Sequence, residues 1–238
     1  MYILIFIIGA VLGSFLSLCI YRIPKGIDVV FKQSYCENCK KKIKTKDLIP
    51  IISYISLKGK SRCCNKQISK RNIIIEFLTG IIVLLLFIKY DLSFLFFKYL
   101  IFMALMTIIS FIDLETSYVY TGIILKGSVL AIILMIIEKI IYDNKMIDYI
   151  IGAFLVGLII FLISKITKGA IGDGDIYILF LIGLFLGCSK SIELLMITFM
   201  IGGVISTVLL ITKIKNRKDA IPFAPFLFVA IFFIIFNN

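Results

Sequence analysis

Histidine is absent from all 238 residues, and so is tryptophan. Without histidine, Ser-His-Asp and Cys-His catalysis and every His-ligated metal site are excluded. Carboxylates and thiols remain as the chemical actors. Charge is also scarce, because Asp, Glu, Lys and Arg together make up 17% of the chain while 61% is hydrophobic. A soluble domain of this length has too little interior to hide that much apolar surface, so the composition specifies a polytopic membrane protein. The long Ile and Phe runs lack the alternation of a membrane β-barrel, and an open sheet edge cannot sit in lipid. The fold class is therefore all-α. The first twenty residues lack a basic n-region and a small-x-small cleavage site before Arg22, and read as a retained span.

A helix crosses a bilayer with about 20 apolar residues. On that ruler eight spans are expected, at 2–21, 72–90, 92–112, 118–137, 147–167, 175–188, 193–212 and 220–236. Between the first two lies a basic loop, 22–71, which holds 14 of the 26 Lys and Arg residues and only three acids, Asp28, Glu37 and Asp47. Such a loop beside spans is read as cytoplasmic and facing anionic lipid, not nucleic acid. The connections near 113–117, 165–174 and 213–219 then share its side, and the four loops hold 20 of the 26 cations, including Lys165, Lys168, Lys213, Lys215, Arg217 and Lys218. Both termini fall outside. The chain divides into an N-terminal region, 1–90, and a membrane domain, 91–238.

This topology puts Asp113 and Asp175 at one interface, the second within Gly172-Asp173-Gly174-Asp175. A carboxylate in or near hydrocarbon is costly and is a functional candidate by default. Two that share one proton can hydrolyse a peptide bond, the ionised one activating water and the protonated one polarising the carbonyl. Gly172 and Gly174, lacking Cβ, let a substrate strand approach and permit unusual backbone angles before the helix. The plain alternative is that Asp175 caps its helix and Asp113 is an interfacial polar residue. Asp173 and Glu115 are near competitors.

The basic loop also carries Cys36, Cys39, Cys63 and Cys64. In a reducing compartment clustered thiolates suit a metal better than disulfides, and four sulfurs suit tetrahedral Zn2+ in a closed structural site. The adjacent Cys63 and Cys64 can share one metal only with backbone strain or a shifted loop. Cys19 and Cys188, in or at the end of apolar runs, read as packing residues. The glycines at 9, 13, 80, 152, 157, 183, 187, 202 and 203 read as close-packing positions between helices.

At the two aspartates the sequence resembles the type IV prepilin peptidases, polytopic aspartyl proteases with a Gly-x-Gly-Asp motif. Asp175 matches the motif aspartate and Asp113 its partner. Gly13-Ser14-Phe15-Leu16 with Tyr21-Arg22-Ile23-Pro24, then Leu48 through Tyr54, then Ile68-Ser69 through Glu76, resemble further family signatures in order. The chain departs from the pattern at Ser17, at Tyr120-Thr121, at Tyr177, and at Ser61, which stands where a second Cys-x-x-Cys would begin.

The resemblance implies an enzyme of the bacterial cytoplasmic membrane with its active site facing the cytoplasm. It implies prepilin or pseudopilin substrates cut after a glycine, and N-methylation of the new N-terminal residue from S-adenosylmethionine. No glycine-rich nucleotide loop supports that cofactor independently. Glu76 is read chiefly as an interfacial ion pair, with a loop-organising or methyl-transfer role as the family's alternative. Pro222-Phe223-Ala224-Pro225 resembles a C-terminal Pro-x-x-Pro element with a substrate-docking role. The rival readings are a signal-peptide-peptidase-like protease, a cation or proton transporter using the two Asp residues, and an assembly scaffold.

Overall fold

A computed structural model describes residues 1–143, 145–167, 172–214, 216 and 221–237. Of the cations counted above, Lys168, Lys215, Arg217 and Lys218 lie outside the described residues. Each of the eight apolar runs forms a helix: α1 Tyr2–Arg22, α3 Lys70–Tyr90, α4 Phe94–Thr116, α5 Thr121–Tyr142, α6 Met146–Ile166, α7 Asp173–Leu186, α8 Cys188–Ile211 and α9 Ala224–Asn237. A short α2, Ile52–Ser56, lies in the basic loop and was not expected.

The protein is a polytopic all-α membrane protein, and the expected count of eight crossings is not confirmed. Among the described residues five helical segments are long and apolar enough to cross: Tyr2–Lys25, Lys70–Tyr90, Phe94–Thr116, Met146–Ile166 and Cys188–Ile211. α7 and α9 have 14 residues each, about 21 Å at 1.5 Å per residue, against roughly 30 Å of hydrocarbon. α5 is long enough but carries Lys126, Glu138 and Lys139.

Contacts divide the chain into Met1–Phe96 and Phe97–Asn238. In the first unit α1 and α3 pair lengthwise. Added Cβ atoms at Gly9 and Gly13 would lie 2.8 Å from Val83 and from Glu76, so these glycines set the interhelical distance. The Ser17 hydroxyl donates to Asn72 Oδ1 at 2.7 Å. The aromatic pairs Tyr2–Phe87 and Phe6–Phe77 lie along the same seam.

In the second unit α6, α7 and α8 meet where Gly183 abuts Ala153 and Gly152 abuts Cys188. α5 reaches α4 and α7 through Gly127, set against Leu105 and Leu181. Gly202 faces Phe226 of α9, whereas Gly157 and Gly203 have nothing near their missing Cβ. Those two glycines do not close-pack helices within the chain.

Candidate functional site

α4 runs on through Asp113 to Thr116, and α7 begins at Asp173. Both aspartates therefore sit inside helix-terminal turns and not in the loops beyond them. Asp at the start of a helix is favoured by the macrodipole, which is why α7 begins two residues earlier than its apolar run. Further along the same helices the rings of Phe102 and Phe185 stack, centroids 4.5 Å apart. Asp113 follows Phe102 by eleven residues and Asp175 precedes Phe185 by ten. At 1.5 Å per residue both carboxylates lie roughly 15 Å along the helices from that stack. The Asp113 charge acts on Asp175, as that matched level requires.

Burial separates the pair from its competitors. Asp113 is 5% and Asp175 8% exposed, whereas Asp173 and Glu115 are exposed. Among the described residues no Lys or Arg pairs with either buried carboxylate.

The role of the glycines differs from the expectation. Gly172 has φ −68° and ψ 145°, angles open to any residue. Gly174 is required sterically, because a Cβ there would lie 2.6 Å from Val119 Cβ, in the α4–α5 connection. It presses the motif against the segment that follows Asp113.

Asp113 is also tied to the Pro-x-x-Pro element. Its Oδ2 accepts the Ala224 N–H at 3.1 Å, at the first residue of α9. The Phe223 N–H acts on the same carboxylate. The Ser110 hydroxyl, one helical turn before Asp113, donates to the Ala224 carbonyl at 3.0 Å. One side chain from α4 thus grips each polar group of the Ala224 peptide. The sequence reading missed Ser110 and Ala224. The Pro-x-x-Pro resemblance located the element but not its contact with Asp113.

A second buried charge cluster was missed entirely. Lys98 of α4 and Glu138 of α5 are 2% and 3% exposed and pair at 2.5 Å. The Tyr149 hydroxyl donates to Glu138 at 2.9 Å. Opposite charges neutralise each other here.

In the basic loop all four cysteine sulfurs lie within 4.8 Å of one another. Tetrahedral zinc with Zn–S bonds of about 2.3 Å sets sulfurs about 3.8 Å apart, and Cys36 and Cys64 stand at 3.8 Å. The donor set fits such an ion, although Cys39 and Cys63 sit closer, at 3.0 Å.

Two turns of like geometry hold the sulfurs. The Lys40 N–H bonds the Cys36 carbonyl at 2.9 Å and the Asn65 N–H bonds the Ser61 carbonyl at 2.8 Å. Each turn ends in a residue at positive φ, Lys40 at 59° and Asn65 at 55°. Ser61 thus occupies the first-cysteine position of the second turn, and its hydroxyl lies 2.9 Å from Cys63 and 3.3 Å from Cys36. Cys63 reaches the cluster from within that turn.

The thiols ionise unequally. Burial pushes Cys36 up, but hydrogen bonds from Ser61 and from the Cys39 and Asn38 N–H groups outweigh it and bring the thiol to about 6. Contact with Cys63 raises Cys39 to about 11.

The family signatures in the first unit acquire physical roles. The buried Arg22 guanidinium donates to the carbonyls of Asp28, Lys32 and Gln33 at 2.8–2.9 Å, which ties the loop to the end of α1. Among the described residues Glu76 forms no ion pair, contrary to the preferred expectation. Its Oε2 accepts the Ile51 N–H at 2.7 Å, and Ser14 also bonds it. Ile51 has φ +61°, a strained angle for a β-branched residue, so Glu76 holds the Leu48–Tyr54 segment in shape.

Known proteins match along the same lines. The family model described as the bacterial peptidase A24 N-terminal domain matches residues 7–90, and the one described as the type IV leader peptidase family matches residues 100–207. A prepilin leader peptidase/N-methyltransferase of Bacillus subtilis is 26% identical over 93% of this chain and 88% of its own length. Its counterpart in Neisseria gonorrhoeae is 28% identical over 87% of this chain and 82% of its own. One from Klebsiella pneumoniae is 38% identical over 32% of this chain and 36% of its own length. No solved structure gives a significant match.

Proposed function

The chain belongs to the type IV leader peptidase family, and from that premise we propose that it is a membrane aspartyl endopeptidase. It removes the leader of type IV prepilins or pseudopilins after a glycine. It then N-methylates the new N-terminal residue from S-adenosylmethionine, as the names of its relatives suggest. The observation that carries the peptidase reading is the pair of buried, level carboxylates without a cation partner among the described residues. Two such groups cannot both ionise cheaply, so the resting pair holds one proton.

The hydrogen bonds support a division of roles. Asp113, which receives the N–H groups that open α9, is the ionised member and takes a proton from water. Asp175, on whose carboxylate the Gly172 N–H acts where two N–H groups act on Asp113, keeps the shared proton and gives it to the scissile carbonyl oxygen. The resulting gem-diol collapses when the proton gained by Asp113 passes to the leaving amine and one gem-diol hydroxyl returns its proton to Asp175. The peptide C–N bond then breaks into a carboxylic acid and an amine.

The excess of Lys and Arg in the connections on one side supports a dyad that faces the cytoplasm from a bacterial cytoplasmic membrane. Region 1–90 carries the metal module, with Zn2+ held by Cys36, Cys39, Cys63 and Cys64 as a structural ion that ties the loop together. Region 91–238 carries the peptidase. The test is cleavage of a prepilin-like substrate in detergent, read by mass spectrometry, for wild type, Asp113→Asn and Asp175→Asn. Both well-folded variants are expected to lose cleavage, and wild-type product gains one methyl group when S-adenosylmethionine is supplied. Cleavage that persists in either variant overturns the dyad.

A further inference from the structure

Just beyond the end of α1 the chain presents its most exposed large apolar side chain. Phe31 is 88% exposed, more than any large apolar residue of the described helices, and Val30 beside it is 77% exposed. Residues 27–34 form neither helix nor strand, yet the turn is braced from within. Asp28 Oδ1 accepts the Val30 and Phe31 N–H groups at 2.7 and 2.8 Å. The buried Arg22 guanidinium holds carbonyls on both sides of the pair, that of Asp28 before it and those of Lys32 and Gln33 after it. The bonds close on the inside of the turn, which leaves the two apolar side chains on its outer edge.

We propose that this turn is an interfacial anchor, in which Val30 and Phe31 enter the headgroup region of an anionic lipid surface and Lys25 and Lys32 face the lipid phosphates. The inference rests on neither the peptidase nor the methyltransferase reading, only on α1 crossing the membrane.

Position points to lipid first. The apolar helical segment runs Tyr2–Lys25, and Gly26, at φ 63°, ends it in the left-handed conformation. Arg22 lies in the last turns of that segment. The tip therefore sits within reach of one arginine side chain from a helix that ends at the bilayer surface. Leaving a Val–Phe pair in water forgoes their transfer free energy, which the adjacent bilayer recovers.

Charge points the same way. Between Arg22 and Cys36 the one acid is Asp28, and its Oδ1 is engaged in the turn. Lys25 and Lys32 are exposed, and each stands over a ring. Lys25 Nζ is 3.4 Å from the Tyr21 centroid and Lys32 Nζ is 5.3 Å from that of Tyr35. Lys and Tyr, with apolar stems and polar tips, settle at the headgroup level. An apolar edge flanked by lysines is the pattern of a segment that lies in an anionic surface.

The anchor has a structural consequence. Only Ser34 and Tyr35 separate the Arg22 clamp from Cys36. Insertion of the tip thus fixes the height of the cysteine turns above the bilayer.

The chain contains no tryptophan, so Phe31→Trp gives a single fluorophore at the tip. The full-length variant is placed in phosphatidylcholine vesicles with and without phosphatidylglycerol, and quenching by brominated acyl chains is read. A thermal melt like that of wild type shows that this exposed substitution leaves the fold intact. Interfacial segments sit roughly 5–10 Å into the headgroup–acyl boundary, so the expected result is blue-shifted emission that brominated lipid quenches, most strongly in anionic vesicles. Lys25→Gln and Lys32→Gln, each added to this variant, should lower the inserted-to-free ratio about fivefold. Asp28→Ala should release the turn and reduce quenching, whereas Asp28→Asn, which keeps the acceptor, should not. Emission of a water-exposed indole that brominated lipid leaves untouched overturns the anchor. Emission that shifts only when a prepilin-like peptide is added also overturns it and makes the tip a protein-binding surface. Equal quenching in neutral and anionic vesicles overturns the role given to the lysines.

Discussion

The second unit buries charge twice, at positions well separated along α4, and treats it in opposite ways. Lys98 and Glu138 neutralise each other, and Tyr149 completes the cluster. Asp113 and Asp175 share one sign and, among the described residues, have each other and backbone N–H groups, those that open α9 and that of Gly172, but no cation. Removing charge from water costs several kcal/mol per ion unless a partner compensates. The first cluster has that compensation built in and reads as structure. The second lacks it and must borrow a proton, the property a hydrolase needs.

The largest effect that separates the two clusters is on rate. Asp113→Asn and Asp175→Asn are each expected to lower kcat by about 10^3-fold or more. Neither should lower thermal stability, because Asn keeps an acceptor oxygen at either position and leaves no pair of like charges to share a proton. A calorimetric or fluorescence Tm at or above that of wild type, together with loss of cleavage, is the signature. A matching fall in Tm would make the dyad a structural pair like the first.

Lys98→Met inverts that pattern. It strands Glu138 in the interior and is expected to cost about 3–5 kcal/mol of stability. Cleavage per folded molecule should not change. The double variant Lys98→Met, Glu138→Leu should recover most of the loss, because hydrophobic replacement of a buried ion pair is often neutral. Thermal melts of the single and double variants decide it, and a double variant as unstable as the single one would break the comparison.

The sequence showed one of these clusters and hid the other, for a physical reason. Asp113 and Asp175 stand where apolar runs meet polar ones, and Gly172-Asp173-Gly174-Asp175 is visible without any fold. Lys98 and Glu138 lie inside long apolar runs forty residues apart, and only tertiary packing makes them neighbours. The same holds for Asp113 and Ala224, which are 111 residues apart. The helices themselves were legible from apolar run length. Their polar ends were not, because a helix continues past the last apolar residue when its caps allow, as α4 does through Glu115 to Thr116. Glu76 was misread because its partner is a backbone N–H at a strained residue, which no charge pattern reveals.

A smaller effect tests how the dyad's charge is held. Pro is tolerated at the first position of a helix, so Ala224→Pro deletes the donor to Asp113 while sparing α9. A hydrogen bond to a charged group is worth about 1.5–3 kcal/mol, so kcat should fall by about tenfold or somewhat more. The lost bond stabilised the ionised carboxylate, which is then reached only at higher pH. The acid limb of the pH–rate profile should therefore move upward, with KM unchanged. A profile that keeps its acid limb would show that the α9 contact positions a helix and does not set the charge.

With the zinc proposed above, the cysteine cluster would be a third solution to the same problem, in which like charges are compensated by a cation that the chain does not itself contain. Its two turns differ at one atom, because Ser61 stands where Cys36 stands in the first turn, and Cys63 supplies the fourth sulfur instead. Ser61→Cys should restore the symmetric arrangement. Metal content should stay at one ion per chain, with affinity changed only a few-fold, since one thiolate merely replaces another. The informative variant is then Cys63→Ser. Alone it leaves three sulfurs and should weaken metal retention against a chelator. Combined with Ser61→Cys it should retain metal as wild type does. If the combined variant loses metal as readily as Cys63→Ser alone, Cys63 is not interchangeable with the position of Ser61, and the two turns are alike in backbone only.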